Sequence, residues 1–96
     1  MEVGDDGLVR KEIHFRGRVQ GVGFRQTTSD IASRFDVAGT VENLPDGQVL
    51  LVVEGRAAEV RAFVAAIESE MGRFISGADV QESPPSGKFA DFRIRY

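Results

Sequence analysis

Val9, Lys11, Ile13 and Phe15 alternate with Arg10, Glu12, His14 and Arg16. Period two predicts a β-strand at about 8–16 with its apolar face toward a core. The period then lengthens. Phe24, Thr28, Ile31, Ala32 and Phe35 recur at helical spacing and predict an amphipathic helix at about 23–36. A second strand is predicted over 38–43 and a third, rich in β-formers, over 48–54. Between them, Leu44-Pro45-Asp46-Gly47 is a turn whose proline presets φ, whose aspartate bonds its own backbone and whose glycine takes the left-handed position. The two strands therefore form a hairpin. Val60, Phe63, Val64, Ile67 and Met71 predict a second helix at about 57–71, with Glu59 suited to its dipole and Gly72 as a stop. A short strand is open at 76–81. Ser83-Pro84-Pro85-Ser86-Gly87 reads as a loop, and the alternation from Phe89 to Tyr96 closes the chain with a strand.

This order predicts a ferredoxin-like split βαβ sandwich of the α+β class. Its antiparallel sheet has four or five strands and both helices on one face. Residues 1–7 are expected to be a flexible N-terminal tail and 8–96 a single domain. Ninety-six residues, 42% of them hydrophobic and 28% charged, suit one globular domain. The net charge of −3 argues against general affinity for nucleic acid or an anionic membrane. The absence of cysteine excludes disulfides and thiolate metal ligands, and a single histidine, His14, excludes a histidine metal cluster. His14 is expected on the surface. The acidic stretch Met1 to Gly7 lacks the features of a signal peptide, so a cytoplasmic location is expected; separately, the protein is expected to be a monomer.

The chemistry concentrates where the first strand gives way to the first helix, in Gly17-Arg18-Val19-Gln20-Gly21-Val22-Gly23-Phe24-Arg25. Glycines let successive N–H groups point into one concavity, and the helix adds its unpaired N–H groups and positive dipole end. The Arg25 guanidinium matches phosphate oxygens two at a time. Spacing alone leaves two readings open: a phosphate site, or a plain turn beside a solvated charge. The stretch is neither a dinucleotide fingerprint, since Gln26 stands where a third glycine is needed, nor a Walker loop. Asn43 likewise has two readings, a functional amide or a cap for the hairpin turn. No serine has a histidine and an acid assigned to it, so covalent catalysis is poorly supported.

The loop Gly17 to Arg25 resembles the signature of the acylphosphatase family. Gly39-Thr40-Val41-Glu42-Asn43-Leu44-Pro45-Asp46-Gly47-Gln48-Val49 resembles that family's second signature, in the family's order and separation. The resemblance extends to Phe92-Arg93-Ile94-Arg95-Tyr96. It implies hydrolysis of a small acyl phosphate to a carboxylate and inorganic phosphate, with no cofactor and no metal. It implies that Arg25 binds phosphate, that Asn43 orients the attacking water, and that the backbone of Gln20, Gly21, Val22, Gly23 and Phe24 cradles the phosphate.

Three positions depart from the family pattern: Thr40 where a large aromatic is common, Glu42 where a basic or neutral residue is common, and Arg56 where proline is frequent. Strand alternation should turn Glu42 away from the face of Asn43. Rival readings are an RNA-binding module, the acylphosphatase-like part of a larger carbamoyl-transfer protein, and a silent interaction domain. The RNA-binding reading is disfavoured because the outward face of the first strand is not aromatic and the net charge is negative.

Overall fold

The computed structural model describes residues 7–96. The elements in order are β1 (Leu8–Gly17), α1 (Phe24–Ala32), β2 (Val37–Asn43), β3 (Val49–Arg56), α2 (Ala57–Met71), β4 (Ile75–Ser83) and β5 (Phe92–Arg95). They form one five-stranded sheet in the order β4-β1-β3-β2-β5. Both helices cover one face. The residues that point to that face from the central strands, Ile13, Phe15, Val41, Leu51 and Val53, are fully buried. Against them lie Ile31 of α1 and Val60, Phe63 and Ile67 of α2, also fully buried. The Phe63 ring sits between those of Phe35 and Phe92, at centroid distances of 6.1 and 5.5 Å.

Two placements differ from the sequence expectation. The segment left open as a short strand is a nine-residue strand, β4, paired antiparallel with β1. It supplies the fourth strand of the ferredoxin-like frame. The closing strand is the added one, and it pairs parallel with β2, so the sheet is mixed rather than antiparallel throughout. A local pattern specifies that a segment is a strand, but not which edge it joins or in which direction. Smaller differences occur at element ends. Helix α1 stops at Ala32, and its last turn is closed by Ser33, Arg34 and Phe35 donating to Asp30, Ile31 and Ala32 carbonyls. Gly72 does not terminate α2 in a left-handed cap; it is right-handed helical and leads into a 3₁₀ turn, Gly72–Phe74. The expected tail falls outside the described residues except for Gly7, whose carbonyl accepts the Ala57 N–H at 2.8 Å.

The run Val49 to Val53 shows no clean alternation because β3 is covered on both faces. On the outer face the segment that follows β4 reaches β3 at Glu54. Glu54, 7% exposed, holds that segment down. Its carboxylate accepts from Arg10 Nη1 at 2.8 Å, Ser86 N–H at 2.9 Å, Ser86 Oγ at 2.8 Å and Gly87 N–H at 3.0 Å. Burial pushes the carboxyl up, but these donors outweigh it and hold it at about 2, below its ordinary 4.5. The segment pinned by Glu54 leads directly into β5, which delivers residues to the site described next.

Candidate active site

Three ties fix the loop between β1 and α1. Arg18 N–H donates to Phe74 O at 2.9 Å. Phe24 is buried with its ring 5.3 Å from that of Phe15. Between them, Gln20 Nε2 donates to the carbonyls of Leu44 and Gln48, each at 2.8 Å. Gly21 and Gly23 take left-handed angles, φ 79° and 78°. A Cβ at either would meet open space, so these positions need glycine for its backbone freedom and not for room.

Gly23 caps α1 without a side-chain bond. The first helical hydrogen bond runs from Thr27 N–H to Gly23 O at 2.9 Å, so the N–H groups of residues 24–26 have no helical acceptor. No acidic residue lies in the first turn to offset the positive dipole end.

These groups border a cleft of about 170 Å³. Of the residues singled out from the sequence, Gly21, Gly23, Phe24, Arg25 and Asn43 line it together. Gln20 and Val22 do not; the Gln20 side chain turns to the hairpin and Val22 packs against the edge of the core. The Arg25 guanidinium is held at the mouth by β5. It donates to Arg95 O at 3.2 Å and lies over the Tyr96 ring, 4.9 Å from its centroid.

Asn43 ends β2 on the helix-covered side of the sheet. The hairpin turn draws its bonds from elsewhere. Leu44 N–H donates to Gln48 O, Gly47 N–H to Leu44 O, and Gln48 N–H to Asp46 Oδ1. Asn43 Oδ1 takes none of them and is buried without a hydrogen-bond partner. The capping reading therefore has no support in the turn. Glu42 turns to the other face, as alternation requires, and its carboxylate meets Arg95 Nη1 at 3.3 Å. That pairing counters the negative charge beside the cleft.

Val19, Gln26, Ile94 and Tyr96 complete the lining, and the sequence reading assigned none of them to the site. Val19 and Gln26 lie within and beside the glycine loop, whereas the only signal for Ile94 and Tyr96 was the family likeness of the closing segment, since pattern alone gives no reason to bring the end of the chain to the first loop. Among the described residues, no three His, Cys, Asp or Glu side chains gather as a metal ion would require. No helix among them is long and apolar enough to cross a membrane.

The fold and cleft define a small α+β sandwich that brings an arginine, a helix N-terminus and the Asn43 side chain to one place. A sequence model of the acylphosphatase family matches residues 11–94. An acylphosphatase of Syntrophus aciditrophicus is 42% identical over 90 residues, covering 93% of this chain and 94% of that protein. One from Rubrobacter xylanophilus is 41% identical over 87 residues, covering 90% and 79%. The crystal structure of acylphosphatase from Bacillus subtilis superposes with a TM-score of 0.82 at 31% identity, covering 92% of this chain and 99% of that one. The chain belongs to the acylphosphatase family, and so to a family of enzymes.

Proposed function

We propose that the cleft hydrolyses acyl phosphates, with Arg25 and the N–H groups of Gly21, Gly23 and Phe24 binding the phosphoryl group and Asn43 orienting water. The observation that carries this reading is Asn43 Oδ1, buried and unpaired in the same cleft as Arg25 and the start of α1. A buried polar atom without a partner is costly, and a turn of the Asn43 amide toward the cleft would let a water or substrate group satisfy it.

The water oxygen forms a bond to phosphorus while the bond from phosphorus to the bridging acyl oxygen breaks. The electron pair leaves on the carboxylate, and the protons of the water pass to phosphate and solvent. An amide is too weak a base to deprotonate water fully. A loose transition state needs little help of that kind and more charge stabilisation and alignment. Arg25, the loop amides and the helix dipole supply the former, so the mechanism needs no metal. A carboxylate with an ordinary pKa of about 4 departs without a general acid. An alkoxide does not, so alkyl phosphomonoesters are poor substrates. One copy of the chain carries the whole cleft, and a monomer suffices.

Loss of benzoyl phosphate absorbance, measured with chelator present, tests the proposal. Turnover is expected for the wild type and falls by about 10²–10³ in Arg25→Ala. A folded wild type that leaves benzoyl phosphate intact overturns it, as do comparable rates on acetyl phosphate and glycerol phosphate.

A further inference from the structure

Gln20 lies between β1 and α1, and its side chain leaves that loop to bond the β2–β3 hairpin. Its Nε2 has two hydrogens, and both are used, on Leu44 O and Gln48 O at 2.8 Å each. Only the NH₂ end of the amide can face two carbonyl oxygens, so chemistry fixes its orientation. Those carbonyls are the two that close the hairpin. Leu44 O already accepts from Gly47 N–H at 3.1 Å, and Gln48 O from Leu44 N–H at 2.8 Å. Each carbonyl has two lone pairs, so the side chain completes both. Leu44 directly follows Asn43. The staple therefore joins the loop before α1 to the backbone unit next to Asn43 through two bonds that neither element forms alone.

We infer that Gln20 is a positioning residue that holds the Asn43 amide in register with the phosphate-binding loop. This rests on the role proposed above for Asn43. In-line attack needs the water and the phosphoryl group placed within a fraction of an ångström of each other. The two groups that place them lie on separate elements, and Gln20 links those elements by side chain. A half-buried amide with both hydrogens committed has little freedom to do anything else. Its loss frees the hairpin end relative to the loop while leaving the N–H groups, the glycines and Arg25 in place. The effect therefore appears in turnover and not in phosphate affinity.

The test uses Gln20→Met, which keeps the length and lacks the donors, and Gln20→Glu, which keeps the shape but sets an acceptor against two carbonyls. In Gln20→Met, kcat on benzoyl phosphate is expected to fall about tenfold, with inhibition by inorganic phosphate changed by less than about twofold. Gln20→Glu falls further. In the Asn43→Ala background, Gln20→Met is expected to cost less than about twofold, because the residue it positions is gone. Unchanged kcat in Gln20→Met overturns the inference. So does a tenfold loss that persists in the Asn43→Ala background, or an equal loss of phosphate binding. A ¹⁵N NMR exchange measurement on the wild type is independent of any variant's folding. The Gln20 side-chain amide should exchange slowly, and rapid exchange of both hydrogens overturns the staple. If the wild type hydrolyses no acyl phosphate, the proposed function fails, while the exchange result still decides whether the staple forms.

Discussion

Arg25 and Tyr96, separated by most of the chain, meet at the mouth of the cleft with the guanidinium 4.9 Å from the ring centroid. The carbonyl of Arg95 accepts a hydrogen bond from the same guanidinium at 3.2 Å. The phosphate-binding candidate is therefore held by the last strand as well as by its own helix. The Tyr96 residue is 98% exposed, so this stack belongs with solvent-exposed cation–π pairs, worth about 0.5–1 kcal/mol. Tyr96→Ala is expected to weaken inhibition by inorganic phosphate about two- to fivefold, and Tyr96→Phe to leave it near wild type. Inhibition constants for the two variants decide this; equal weakening in both would assign the effect to the hydroxyl instead.

Asn43→Ala separates orientation of water from binding of phosphate. Turnover is expected to drop about 10²-fold with phosphate inhibition unchanged. A variant with full turnover removes Asn43 from the mechanism. A variant that loses phosphate binding as well would give it a different role.

Two glycines should respond differently to alanine. At Gly23 a Cβ meets no atom within 4 Å, so the cost is that of a left-handed residue, about 1–2 kcal/mol. At Gly39 the Cβ would lie 1.8 Å from Val52 O, a backbone atom that β3 holds in place. Urea denaturation is expected to show the larger loss for Gly39→Ala. Activity should reverse the ranking among molecules that remain folded, because Gly23 shapes the start of α1. A larger stability loss at Gly23 contradicts this account.

Glu54 links stability to pH. Its folded carboxyl titrates at about 2 against an ordinary 4.5, so it releases its proton more readily folded than unfolded. The clamp contributes fully above pH ~4.5 and is lost as pH falls toward ~2. Glu54→Gln removes the charge that Arg10 and the Ser86 and Gly87 N–H groups meet, at a cost of about 1–3 kcal/mol near neutral pH. Melting curves between pH 7 and 2 should show the gap between wild type and variant closing below pH ~4.5. A gap constant with pH would place the clamp's contribution in packing.

What the sequence determined by itself was local. The alternation in β1, the helical spacing from Phe24 to Ile31, the Val60-to-Met71 stripe and the Pro45-Asp46-Gly47 turn are patterns over a few residues, and each became the expected element. The glycine loop was legible as a candidate from turn chemistry and the family likeness, and Asn43 from the family likeness alone, because both signals act at fixed short spacings. Tertiary structure decided the rest. It placed β4 beside β1 and β5 parallel to β2, a choice among sheet edges that no alternation encodes. It brought Tyr96 to Arg25, turned Gln20 onto the hairpin and closed four donors around Glu54. Those contacts join residues 24 or more positions apart. Their partners are selected by which chain segments the packed core brings together, and periodicity along the chain carries no record of that.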